Sequence, residues 1–92
     1  MSKINIELAG ALSRLAGEKK VVVNASILKQ ALEELASLFG DVFTDKLFDE
    51  GRKPRRFINI YINGRDYRFI NQLDTELREG DTVTLIPAVS GG

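Results

Sequence analysis

The sequence contains no cysteine, no histidine and no tryptophan among its 92 residues. Without Cys or His, the common transition-metal sites and the usual nucleophile–base pairs lack their side chains. A hard-cation site would need clustered carboxylates in one loop, and the sequence has no such loop. The absence of Cys also excludes disulfides and agrees with a cytoplasmic home. Charge of one sign is missing too: 13 Lys and Arg balance 13 Asp and Glu. Binding to nucleic acid draws on an excess of basic charge, so nucleic acid is a poor expectation as partner. No apolar run approaches the ~20 residues of a membrane span. The start, Met1-Ser2-Lys3-Ile4-Asn5, mixes charged and apolar residues and does not read as a signal peptide. The chain is therefore expected to be soluble and cytoplasmic, without a metal, a cofactor of its own or a membrane association.

What is present describes an ordinary globular domain, 43% hydrophobic and 28% charged, of a length that supports one core. Ile4, Ile6 and Leu8 alternate with Lys3, Asn5 and Glu7, which predicts a half-buried strand. Leu12 and Leu15 predict a helical turn closed by Gly17, and the Val21-Val22-Val23 run predicts a second strand. Ser26 stands where a helix N-cap belongs. Leu28, Ala31, Leu32, Leu35, Leu38 and Phe39 then recur at spacings of three and four, one apolar stripe that Gly40 terminates.

From Asp41 to Arg56 the pattern is less regular. Val42, Phe43, Leu47 and Phe48 fit a short amphipathic helix, with a loop around Gly51 and Pro54. Ile58, Ile60 and Ile62 mark a strand, Asn63-Gly64 a tight turn, and Asp66 to Ile70 a short returning strand. Asp74 and Thr75 read as turn formers. Thr82 to Ile86 is the last strand, stopped by Pro87. One main helix over a mixed sheet of four to five strands, with first and last strands parallel at its centre, is an α+β β-grasp, the ubiquitin-like fold. The expected division is a domain over 1–87 and a flexible tail over 88–92.

The tail carries the chemistry. Glycine usage near 7% would place two glycines at a chain end in about 0.5% of sequences, so Gly91-Gly92 stands out. Without Cβ atoms the two residues can thread a narrow channel and deliver the Gly92 carboxylate to the α-phosphate of ATP. Adenylation converts a poor electrophile into one that a sulfur donor, a thiol or an amine can attack. Ordering five to six tail residues costs on the order of 5–12 kcal/mol, so a folded surface beside the tail must supply affinity. Alternation along the last strand sends Thr82, Thr84 and Ile86 outward, which makes Ile86 a candidate for that surface.

Asn63-Gly64, Leu73-Asp74-Thr75-x-Leu77, Gly80-Asp81-x-Val83 and Ile86-Pro87-Ala88-Val89-Ser90-Gly91-Gly92 resemble the MoaD-type small subunit of molybdopterin synthase, in the MoaD/ThiS sulfur-carrier family. The opening Ile6-x-Leu8-Ala9-x-x-Leu12-x-x-Leu15-Ala16-Gly17 resembles it as well. The resemblance implies a ubiquitin-like sulfur carrier, not an enzyme on its own. Gly92 would be adenylated by a MoeB-type partner that uses ATP, then converted to a thiocarboxylate with sulfur from a cysteine desulfurase or rhodanese. Ala88, Val89, Ser90 and Gly91 would thread into a MoaE-type large subunit, with Ile86 and Pro87 docking, and sulfur would pass to cyclic pyranopterin monophosphate. The family often has Pro-Pro where this chain has Pro87-Ala88. Thiamine-pathway carriers are usually shorter, so the stretch from Asp41 to Arg56 favours the molybdopterin branch. The alternatives are a modifier conjugated to lysines through Gly92 and a carrier for tRNA thiolation or thiamine synthesis. The basic cluster Arg52, Lys53, Arg55 and Arg56 reads as a solvated loop.

Overall fold

The computed structural model describes residues 1–88. Its elements are β1 (Ser2–Leu8), α1 (Gly10–Ala16), β2 (Lys20–Ala25), α2 (Leu28–Leu47), β3 (Ile58–Ile62), β4 (Arg65–Asp66), two 3-10 turns (Tyr67–Phe69 and Gln72–Asp74) and β5 (Thr82–Pro87). The sheet order is β2-β1-β5-β3-β4, with β1 and β5 parallel at the centre and the other neighbours antiparallel. This is the β-grasp. Its core lies between the sheet and α2: Ile4, Ile6, Ile60, Val83 and Leu85 from the strands meet Leu28, Ala31, Leu32 and Leu35 from the helix, all fully buried.

The entry to α2 differs from expectation. The N-cap position is Ile27, not Ser26, and its side chain has no oxygen to offer. Gln30 reaches back instead, its Oε1 accepting from Ser26 N–H at 2.8 Å and Ile27 N–H at 3.4 Å. The segment after the second 3-10 turn completes the entry: Leu28 N–H donates to Thr75 C=O and Leu77 N–H to Ser26 C=O, both at 2.9 Å. Backbone groups supplied from a distant segment thus replace the local cap. Thr75 does form its turn, its hydroxyl donating to Gln72 C=O at 2.7 Å.

Gly40 interrupts α2 with φ 82° and ψ −168°, a conformation open essentially to glycine alone, and the helix resumes at once. The break re-aims the stripe. Phe43 and Leu47 enter the core, whereas Leu38 and Val42, expected within apolar stripes, are 56% and 68% exposed. A Cβ built on Gly40 meets nothing within 4 Å. Gly40→Ala should therefore lose ~1–3 kcal/mol from backbone strain alone, read as a lower urea midpoint. An unchanged midpoint would show that the break relaxes into a regular helix.

The chain turns at Asn63 and Gly64, both at positive φ, as the dipeptide predicts. The expected strand from Asp66 to Ile70 shrinks to the two residues of β4. Asp66 then caps a 3-10 turn: its carboxylate accepts from Arg68 N–H at 2.9 Å and from the Arg68 guanidinium at 3.0 and 2.7 Å. The guanidinium holds the Asp66 carboxyl below its ordinary range. This local pairing competes with the ladder and ends it. Among the described residues, no helix is long and apolar enough to cross a membrane.

Candidate functional site

β5 runs through the middle of the sheet and carries the chain to the root of its terminal segment. Its start is fixed by Asn63, which accepts from Thr82 N–H at 3.0 Å and donates through Nδ2 to Asp81 at 3.0 Å. Its end pairs Pro87 with Ile58, and Ala88 N–H donates to Phe57 C=O at 2.6 Å. Pro87 sits at the end of β5, where a missing N–H disturbs the ladder least. Its ring lies 3.7 Å from where a Gly10 Cβ would stand, so β1's exit and the tail root are packed together. The predicted strand thus extends one residue further, through Pro87 itself.

Alternation places the candidate residues as expected along this strand. Val83 and Leu85 are buried, Thr82 and Thr84 are half-buried, and Ile86 is 39% exposed on the face away from α2. Asn59 is opposite Ile86 on β3, and Tyr61 is opposite Thr84. On the other side Thr84 meets Glu7, hydroxyl to carboxylate at 3.4 Å. Ile86 is therefore an exposed apolar position within a largely polar sheet face, two residues before the end of the described chain. Ala88 is the one threading residue among those described. The expectations for Val89, Ser90, Gly91 and Gly92 fall outside the described residues.

Sequence reasoning missed a second surface at the same root. A shallow depression of about 290 Å³ is bounded by Gly10, Arg14, Lys46, Phe57, Pro87 and Ala88. Phe57 is 39% exposed, and Lys46 Nζ stands 5.1 Å from its ring centroid. Leu15 and Val42 border the adjoining hollow with Arg55. The signal was available in part. Inward Ile58, Ile60 and Ile62 leave Phe57 outside the core alternation, and a turn of helix ending at Gly17 leaves Leu15 half free. The contribution of Lys46 and Val42 depends on the break at Gly40 and could not be read from periodicity.

The basic cluster behaves as a structured loop. Arg52 stacks over Phe48 at 5.1 Å, Arg55 Nε donates to Asp45 C=O at 2.6 Å, and Asp49 accepts from Gly51 and Lys53 N–H. These contacts stitch the loop to the end of α2. At the opposite edge of the sheet, burial pushes the Tyr67 hydroxyl up from its ordinary value.

Comparison with known proteins agrees with this geometry. A family model described as the ThiS family matches residues 6–92. The sulfur carrier protein CysO of Mycobacterium tuberculosis is 36% identical over 78 residues, 83% of each chain. Among solved structures, small archaeal modifier protein 1 from Methanosarcina acetivorans superposes with a TM-score of 0.89 at 26% identity, covering 100% of this chain and 98% of that one. CysO in the Amycolatopsis orientalis BexX/CysO complex superposes with a TM-score of 0.83 at 30% identity, covering 97% and 99%.

Proposed function

Because the chain belongs to the ThiS family of small ubiquitin-like sulfur carriers, we propose that its working group is the Gly92 carboxylate, which shuttles between acid and thiocarboxylate. The observation that carries this reading is the family match, which runs through Gly92 rather than stopping with the folded domain. An activating enzyme transfers AMP from ATP to the carboxylate and releases pyrophosphate. A sulfide-level donor attacks the acyl carbon and expels AMP, leaving C(=O)S⁻ in place of C(=O)O⁻. The folded domain presents the tail and docks; it supplies no acid, base or nucleophile. In this reading the chain holds no cofactor of its own, and ATP is used by the activating enzyme.

For the acceptor we favour cyclic pyranopterin monophosphate, with the chain acting as small subunit of molybdopterin synthase beside a MoaE-type large subunit and a MoeB-type activator. Support comes from the motifs at Asn63-Gly64, Gly80-Asp81 and Ile86-Pro87, and from the segment between Asp41 and Arg56. The relatives named CysO keep other sulfur acceptors in view, and the likeness to a small archaeal modifier supports lysine conjugation as a second reading.

The test is the intact mass of the chain after incubation with the host's activating enzyme, ATP and a sulfur source. The expected result is a gain equal to sulfur replacing oxygen, absent without ATP. No gain under these conditions would overturn the carrier reading. Conjugation would instead leave a tryptic remnant on target lysines beginning after Arg78, because Arg78 is the last basic residue of the chain.

Ile86 supplies a second check on docking. Ile86→Lys changes an exposed side chain, so the unfolding midpoint should stay within about 0.5 kcal/mol of the parent. A lysine in a desolvated contact should raise the KM for the carrier roughly tenfold or more, with kcat retained at saturation. An unchanged KM would remove Ile86 from the docking surface.

A further inference from the structure

The sheet has one long open edge. β4 closes the other side with only two residues before the chain bends into a 3-10 turn. β2 is six residues long, contains no proline and lies at the edge of the sheet. Its inner side is fixed by register. Leu8 N–H donates to Lys19 C=O, and the pairs Ile6–Val21 and Ile4–Val23 continue the same alternation. The main-chain N–H and C=O groups of Lys20, Val22 and Asn24 therefore point away from β1. All three side chains are exposed, and Val22 is 57% exposed. Native edges are usually blunted by proline, bulges, inward charges or a covering element. Along β2 none of these is present, and only the exposed lysines at one end, Lys19 and Lys20, blunt the edge.

We infer that β2 pairs with β2 of a second copy, antiparallel about a two-fold axis through Val22, so that two five-stranded sheets join into one. The register is self-consistent. Val22 meets Val22 of the other copy, Lys20 meets Asn24, and Asn24 meets Lys20. Every one of these residues has outward backbone groups, so each pair exchanges two main-chain hydrogen bonds. On the helix-facing side the intervening pairs are Val21 with Val23, twice. The seam is thus apolar and β-branched at its centre, the kind of cross-strand pair that stabilises a sheet. Its charges also fit. Lys20 stands opposite Asn24 rather than another lysine, and the two Lys20 residues are four positions apart along the strand, ~14 Å. That separation exceeds the screening length of ~8 Å at physiological salt. A second copy is the occupant because this pairing satisfies backbone, apolar centre and charge together. A single edge-to-edge seam of this length falls in the class of weak, transient interfaces, below ~1,200 Å², so association is expected only toward the top of the concentration range tested. β5 lies on the far side of β1, so both tail roots remain open, and they leave from opposite ends of the joined sheet.

The test is sedimentation equilibrium combined with amide exchange on the full chain between ~10 µM and ~1 mM. The average mass should rise from 10.2 kDa toward twice that value. Exchange at Lys20, Val22 and Asn24 should slow at least about fivefold at the higher concentration, whereas Val21 and Val23, already bonded to β1, should be slow at both. Val22→Pro removes one outward N–H and leaves the bonds to β1 intact, as an edge position permits. It should keep the fold and stay monomeric; Val22→Lys, which sets two ammonium groups side by side at the dyad, should do the same. A monomer at ~1 mM would overturn the inference. So would a dimer in which those three amides still exchange fast, or one that survives Val22→Pro.

Discussion

A chain shortened by Gly91 and Gly92 should unfold at the parent's denaturant midpoint and gain no sulfur at all. The first half of this expectation follows from where the core is. Every buried hydrophobic residue among those described lies between Ile4 and Leu85, and the last ladder partner is Pro87. Ala88 still closes on Phe57, so the shortened chain keeps every described contact of the domain. The second half follows from chemistry. Truncation leaves a carboxylate, but on Ser90, two residues nearer the domain. Two residues span at most ~7 Å, which a tail seated by Ile86 and the surrounding root cannot recover by sliding. In the proposed cycle the new terminus would also carry a side chain where the two glycines offer none. Intact mass after incubation with activating enzyme, ATP and a sulfur source gives the readout, with urea unfolding as the control. Sulfur gain in the shortened chain would place the reactive group elsewhere. A lowered midpoint would mean that the glycines belong to the fold.

Much of this molecule is legible in its sequence because its strands are half-buried and its turns are chemically marked. Ile4, Ile6 and Leu8 alternate, Ile58, Ile60 and Ile62 alternate, and Asn63-Gly64 dictates its turn; all sit as the pattern requires. The strand order follows from one helix needing one sheet face. The errors share a different cause. Ser26 loses the cap to Gln30 because Thr75 C=O and Leu77 N–H, just after the second 3-10 turn, supply partners from about fifty residues away. Val42 turns outward because Gly40 re-aims the helix that follows it, an effect of one residue's φ, whereas Leu38, before the break, lies at the margin of the apolar stripe. Asp66 to Ile70 stops being a strand because a carboxylate and a guanidinium two residues apart find each other first. Local patterning was reliable where the two faces of an element have unequal solvent. It failed where a distant backbone group or a single dihedral made the decision. The same division applies to the site: Ile86 follows from alternation, whereas the surface around Phe57 and Lys46 exists only once the helix is broken.

That break makes Phe43 the residue whose loss should cost most for its position. Phe43→Ala should lower stability by ~3–5 kcal/mol, whereas Val42→Ala, one residue away, should stay within about 0.5 kcal/mol. Phe43 is 1% exposed and packs its ring 5.1 Å from that of Phe39, across the Gly40 break. The short helical segment that follows has few other anchors: Leu47 in the core, and the Thr44 hydroxyl donating to Gly40 C=O at 2.7 Å. A segment of about two turns is not stable by itself, so its helix persists because Phe43 and Leu47 are buried. For a domain of this size, holding roughly 5–14 kcal/mol in total, the Phe43 change removes a large share. A fall in Tm on the order of 12–40 °C is the corresponding readout. The effect should also reach function below that Tm. Lys46 on the same segment borders the tail root and Val42 borders the adjoining hollow, so a loosened segment should raise the KM for the carrier while Val42→Ala leaves the fold untouched. Equal losses at 42 and 43 would mean that the helix continues past Gly40 with a different face inward, and the surface beside Phe57 would dissolve with it.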